Sequence, residues 1–205
     1  TNCASRGMKI ILTGKTAHAA WPETGISPVS AVARLLPALS GISAGSVEND
    51  DLVRATVTHV TIGEPAAGIS PAHGEIWVTL RTSTDDQMSA LVEQAETMAR
   101  DAAAADGLAL ALSYQDVFGH CINHPAAADI LRAAMDAESV PHVAGEAYRA
   151  SEDFGRFAKV SKSAMLFLGA GESHPALHNP TYDYPDDLIA IGARIFLAAT
   201  RQVLG

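Results

Sequence analysis

Between residues 75 and 114 the spacing of apolar side chains changes from a period of two to a helical period and back, and this restricts the fold more than any composition figure does. Ile76, Val78 and Leu80 alternate with Trp77, Thr79 and Arg81, as in a strand with one buried face. Thr84 and Gln87 then form a capping-box pair, and Met88, Leu91, Ala95, Met98 and Ala102 recur at helical spacing until Gly107. Leu108, Leu110, Leu112 and Tyr114 alternate again. Upstream, residues 8–13 read as a strand ended by Gly14. Ser27 is placed to cap a helix with Pro28 at its first position and Val29, Val32, Ala33 and Leu36 on one face, and Pro37 is expected to kink or end it. Residues 55–62, rich in Val, Thr and Ile, make another strand between polar connections at 41–51 and 63–74. The order over residues 8–114 is βαββαβ, the ferredoxin-like arrangement with both helices on one face of a four-stranded antiparallel sheet.

The remainder has a different character. Helices are expected at about 125–138, 152–158 and 186–203, with one strand at 164–168 that runs into Gly169-Ala170-Gly171. One strand among amphipathic helices cannot make a sheet, so this part reads as a piece of a larger α/β layer whose other strands lie elsewhere. The expected division is residues 1–116 and 117–205. With 48% hydrophobic and 18% charged residues the chain can bury a core. A net charge of -9, without clustered Lys or Arg, argues against a nucleic-acid partner. No apolar run is long enough to span a bilayer, which argues against a membrane partner. Cys3 and Cys121 are too few for a disulfide framework and fit a reducing, cytoplasmic setting, a single bridge between them staying open. The absence of an initiator Met fits a trimmed or cleaved product.

Several groups could carry chemistry. The stretch Gly14-Lys15-Thr16-Ala17-His18-Ala19-Ala20-Trp21-Pro22 holds His18 in a small-residue turn after a β-branched strand, either as a presented imidazole or as an ordinary turn histidine. Arg81 points away from the apolar face of its strand, as a ligand-binding group or a solvated one. His174 and His178 stand at H-x3-H spacing, but Pro175 and Pro180 oppose a helix there, which leaves His178 as a metal ligand or a surface histidine. His120, Cys121 and His124 form a further cluster without enough ligands for a closed site, and Asn123-His124-Pro125 reads as a helix start. Glu152 and Asp153, like Asp183, Asp186 and Asp187, suit helix N-termini.

Taken in order, these pieces resemble one family. Gly14-x3-His18-Ala19-Ala20-x-Pro22 with Gly25-x2-Pro28, Thr79-x-Arg81-Thr82, Ser151-Glu152-Asp153-Phe154, Leu168-Gly169 and Leu177-His178-Asn179-Pro180-x2-Asp183 resemble the dinuclear metal amidohydrolases. That group includes aminoacylases, carboxypeptidase-G-type enzymes and hippurate or auxin-conjugate hydrolases. The resemblance runs over essentially the whole chain. It implies a ferredoxin-like lid that mediates homodimerisation, followed by the C-terminal part of a zinc-exopeptidase-like α/β catalytic domain. It implies two divalent ions, zinc first and otherwise manganese, cobalt or nickel, holding a hydroxide that attacks the amide of an N-acyl amino acid or small peptide. By the same resemblance His18 matches the lid histidine that donates to the oxyanion, in several relatives across the subunit boundary. Arg81 matches the lid arginine that grips the substrate carboxylate, Glu152 and Asp153 match a motif near the substrate, and His178 matches a metal ligand.

This chain departs from the family in two ways. Gly68-Ile69-Ser70-Pro71 stands where relatives carry an Asn-Val-Ile-Pro-like segment, so substrate recognition there is expected to differ. The His-x-Asp motif, bridging carboxylate and paired Glu of the catalytic half are absent, so the 205 residues alone are expected to bind metal poorly and not to hydrolyse amides. Two other readings stay open: a non-enzymatic dimerisation module, and a ferredoxin-like module that binds a small amino acid.

Overall fold

The computed structural model describes residues 1–205, which form two compact units. The first comprises Asn2–Cys121 together with Ala147–Asp153. Its strands are β1 (Ala4–Thr13), the short β2 (Ala17–His18) and β3 (Ser43–Ala44), β4 (Val53–Ile62), the short β5 (Ile69–Ser70), β6 (His73–Thr82) and β7 (Ala109–Phe118). Its helices are α1 (Val29–Ser40) and α2 (Asp85–Ala105). The main sheet runs β3-β4-β6-β1-β7 with every pairing antiparallel, so β1, α1, β4, β6, α2 and β7 make the expected ferredoxin-like βαββαβ fold.

Alternation decides which face is covered. Met8, Ile10 and Leu12 of β1 and Ile76, Val78 and Leu80 of β6 are buried, and they pack with Leu35 and Leu39 of α1 and Met88, Leu91 and Ala95 of α2. Each fully buried aliphatic side chain of this kind contributes about 1.5–3 kcal/mol. The Thr84–Gln87 capping box forms in both directions and fixes where α2 begins. α1 departs from expectation. Its buried stripe is Ala31, Val32, Leu35 and Leu39, while Val29 is exposed. The helix also continues through Pro37 to Ser40. Proline removes one backbone donor, and only one turn remains to be completed before Gly41 closes the helix onto the carbonyls of Pro37 and Leu39. Ser27 does not stand at the cap; Pro28 does, with Ser27 Oγ accepting from Val29 N at 3.4 Å.

The second unit comprises Thr1, Ile122–Glu146 and Phe154–Gly205. It contains α3 (Pro125–Ala137), the single turn α4 (Gly155–Ala158), shorter than the helix expected at 152–158, and α5 (Asp187–Leu204). His124 caps α3 through Nδ1, which accepts from Ala126 N at 3.2 Å. Ala134, Ile195 and Ala198 form a small core against Leu166 and Leu168.

The strand expected at 164–168 is not a strand. It has no sheet to join, and the side-chain amide of Asn123 takes the place of a neighbouring strand. Asn123 Oδ1 accepts from Met165 N at 2.8 Å, and Asn123 Nδ2 donates to Met165 O at 2.7 Å. His124 N adds a bond to Ser163 O at 2.8 Å. These bonds satisfy backbone groups of the segment that have no ladder to join. Residues 147–153 group with the first unit, so its boundary is not the single cut expected near residue 116.

Candidate functional site

The loop that carries His18 is exposed yet closely determined. Lys15 and Ile26 exchange backbone hydrogen bonds of 2.9 and 2.8 Å at its neck, and Gly14 N donates to Ala72 O at 2.7 Å. Gly14 and Gly25 permit this closure, since a Cβ on Gly14 would stand 2.0 Å from Ile26 O and one on Gly25 2.6 Å from Lys15 O. β2 lies antiparallel to β5, with His18 opposite Ile69. Ala19 N donates to Gly68 O at 3.0 Å, so the segment that departs from the family pattern lies against the histidine strand. Sequence reasoning missed this small β2–β5 ribbon, because two residues per strand leave no period to read.

The imidazole is oriented by its own turn. Ala20 N donates to His18 Nδ1 at 3.0 Å, and the ring lies 5.2 Å from that of Trp21. A nitrogen that accepts from an amide carries no proton, so in the neutral ring the proton is on Nε2. Nε2 has no protein partner and is exposed, which makes it a free donor on a rigid support.

Arg81 is at the other end of the sheet. β6 starts at His73, beside the His18 loop, and Arg81 is eight residues further on, opposite Ser5 of β1. At a strand rise of about 3.3 Å per residue that is roughly 26 Å, so one chain does not bring His18 and Arg81 together. Arg81 Nη1 donates to Arg149 O at 2.5 Å and to Ser151 Oγ at 2.7 Å, leaving Nη2 and Nε for another acceptor. Burial draws the Arg81 guanidinium below its ordinary pKa, opposed by the nearby Cys3. The same burial pushes the Cys3 and Cys121 thiols up. Glu152 and Asp153 follow Ser151 directly, so the acidic pair and Arg81 share one neighbourhood within the first unit.

His178 is on an exposed loop of the second unit with a left-handed backbone, φ 69°. Its neighbour His174 is occupied. His174 Nε2 lies 2.6 Å from Asp183 O, and the ring meets Tyr182 edge-on at 5.1 Å. The members of the His120, Cys121 and His124 cluster each have other partners. His120 faces Asp85 at 3.1 Å, Cys121 is buried in a backbone bridge to Asn2, and His124 caps α3. No group of three or more His, Cys, Asp or Glu side chains is arranged to hold a metal ion. His178 alone does not fit a pair of divalent ions, which need several ligands each. No helix is long and apolar enough to cross a membrane.

The fold is shared with known proteins. Residues 2–107, over half the chain, match the peptidase dimerisation domain of the M20 family. An N-acetyldiaminopimelate deacetylase of Shouchella clausii is 26% identical over 187 residues, covering 90% of this chain and 49% of that protein. The hippurate hydrolase of Campylobacter jejuni is 24% identical over 201 residues, covering 94% and 51%. The chain thus spans about half the length of the curated relatives it matches. Among solved structures, a dinuclear metal-binding peptidase of the M20 family from Bacillus subtilis superposes with a TM-score of 0.73 at 16% identity, over 99% of this chain and 51% of that one. An aminopeptidase from Bacillus cereus gives 0.69 at 17% identity, over 97% and 51%. With the match running from β1 through α2 and stopping just short of β7, the chain belongs to the M20 peptidase family and carries that family's dimerisation domain.

Proposed function

We propose that the chain is the lid and C-terminal portion of a metal-dependent amidohydrolase that cleaves the amide bond of N-acyl amino acids or small peptides. The observation that carries the reading is the free, oriented Nε2–H of His18 on a loop closed at its neck by backbone pairing. Such a donor suits the oxyanion that forms when an amide carbonyl is attacked. Arg81, with Nη1 tied to the 149–151 segment, offers Nη2 and Nε to the substrate carboxylate, and Glu152 and Asp153 border that position. Because His18 and Arg81 stand at opposite ends of the sheet, each complete site draws His18 from one protomer and Arg81 from its partner. The outer edge of β4 from Thr56 to Ile62 is unpaired, and an open edge supports the homodimer that this requires.

His178 is assigned as one metal ligand, the others lying outside these residues, so the 205-residue chain alone is inactive. Two divalent ions, zinc or else manganese, cobalt or nickel, supply an activated water and polarise the carbonyl when bound. The reading agrees with the names of the relatives, a deacetylase of N-acetyldiaminopimelate and a hydrolase of hippurate. The buried free thiols of Cys3 and Cys121 support a cytoplasmic setting.

The test is release of free amino acid from N-acyl amino acids by the whole, metal-loaded enzyme and its His18→Ala variant. Turnover of the variant is expected to fall by about 10²–10³, the usual cost of one oxyanion donor. Wild-type turnover in His18→Ala would refute the role.

A further inference from the structure

Two large apolar residues, one with its ring beside the His18 imidazole and one paired with His18 across the ribbon, are left in solvent. Trp21 is 59% exposed with its ring 5.2 Å from that of His18, and Ile69, the strand partner of His18, is 57% exposed. Neither is loosely held. Trp21 N donates to His18 O at 2.9 Å, Thr24 N and Thr24 Oγ1 both donate to Trp21 O, and Pro22 follows at the start of a short 3-10 turn. Ile69 is fixed by the β2–β5 ribbon. The backbone is thus ordered around two hydrophobic groups that it does not bury.

The position of these groups limits what can cover them. A donor to the oxygen of a scissile amide is necessarily close to the two substituents of that carbon, the acyl group and the amino-acid nitrogen. The amino-acid side carries the carboxylate and is drawn to Arg81, a cation at a separate place. The substituent left next to the imidazole is the acyl group, and the surface that meets it is an indole and a sec-butyl group. Two side chains make too small a patch for a stable protein interface, which buries about 800 Å² per partner, but they match one acyl chain or ring in size.

We propose that Trp21 and Ile69 form the wall that receives the substrate's acyl group and that they select aromatic or extended apolar acyl groups over acetyl. The inference rests on the amidohydrolase reading above and adds its acyl specificity. Trp21 contributes through offset or edge contact with an aromatic acyl ring, and Ile69 through apolar contact from the strand paired with that of His18.

The experiment compares N-benzoyl and N-acetyl derivatives of one amino acid as substrates of the whole, metal-loaded enzyme in wild-type, Trp21→Ala, Trp21→Phe and Ile69→Ala forms. Wild type is expected to prefer the benzoyl substrate. Trp21→Ala should lower kcat/KM for it by about tenfold or more, mainly through KM, and change the acetyl substrate by less than about threefold. Trp21→Phe should keep most of the preference, and Ile69→Ala should lose part of it. Equal losses on both substrates would show that Trp21 acts only by holding His18, and no loss on either would show that it meets no substrate; each overturns the proposal. A second readout is independent of turnover: quenching by N-benzoyl and N-acetyl amino acids of the tryptophan emission that Trp21→Phe removes. If the enzyme hydrolyses neither substrate and quenching still favours the benzoyl compound, the wall stands and the amidohydrolase reading falls. If quenching shows no preference, the wall falls.

Discussion

On the roles proposed for His18 and Arg81, and with about 26 Å of β6 between Arg81 and the His73 end where the His18 loop lies, two variants that are each inactive should restore one another when paired. In a His18→Ala homodimer both sites lack the oxyanion donor, and in an Arg81→Ala homodimer both lack the carboxylate grip. In a heterodimer of the two, one site receives His18 from the Arg81→Ala protomer and Arg81 from the His18→Ala protomer, and is complete. The other site lacks both. A purified heterodimer should therefore show about half the wild-type activity, and a random equimolar mixture, half of it heterodimer, about a quarter. Were both residues to serve the same site from one chain, every site in the heterodimer would carry one lesion, and activity would stay at the parental level, about 1% or less. The two outcomes differ by more than tenfold. Co-expression of the whole enzyme with two different affinity tags, sequential purification and assay on an N-acyl amino acid decides between them. Activity in the heterodimer no higher than in either parent would refute the two-ended geometry as the basis of the site.

Three further outcomes are expected. Gly14→Ala places a Cβ 2.0 Å from the Ile26 carbonyl oxygen, a backbone atom that cannot rotate away, so it should destabilise the lid by roughly 1–3 kcal/mol in urea denaturation and lower turnover by displacing the His18 loop. Gly68→Asn meets nothing within 4 Å, so it should leave the urea midpoint nearly unchanged while adding an amide beside His18. On the family resemblance it should then lower KM a few-fold, about the effect of one hydrogen bond. Glu75 is held below its ordinary value of 4.5 by the hydrogen bond from Lys9, then by that from Trp77. Because the folded value is depressed, the stabilisation is present above the unfolded value and is lost as pH falls through the folded one. Glu75→Gln should therefore be less stable than wild type at neutral pH and indistinguishable from it below the folded value, by thermal melting across that range.

The parts of the fold that were legible in the sequence are those with a long repeat to read. The alternation of Ile76, Val78 and Leu80 and the paired side chains of Thr84 and Gln87 each report a structure several residues long, and both appear as written. In α1 the pattern Val29, Val32, Ala33 and Leu36 points to one face, whereas the helix buries Ala31, Val32, Leu35 and Leu39. Which face is chosen depends on where the sheet lies, a tertiary fact. The segment at 164–168 shows the converse: its residues suit a strand, but a strand is a relation between two backbones, and here Asn123 supplies the second set of hydrogen bonds. At the site, His18 and Arg81 could be named from motifs, but not their separation, since chain order says nothing of which end of a sheet each residue reaches. The separation is set by the length of β6 between His73 and Arg81, and the acyl-facing role proposed for Trp21 rests on exposure beside an oriented ring.

That separation also bears on why a lid of this kind would dimerise. A side chain lent from one subunit can act on a substrate held by the other only if its approach is fixed to a fraction of an ångström, and flexible loops do not give that precision. Here the His18 loop is fixed three times: by the Lys15–Ile26 pair, by the β2–β5 ribbon and by the amide of Ala20 on Nδ1. Such effort on an exposed histidine costs conformational entropy and adds no core. It is accounted for if the ring must arrive already oriented at a surface that its own chain does not provide. On that account dimerisation is part of catalysis rather than of stability, and specific activity should fall with dilution at the concentration where the dimer dissociates, even while each lid remains folded.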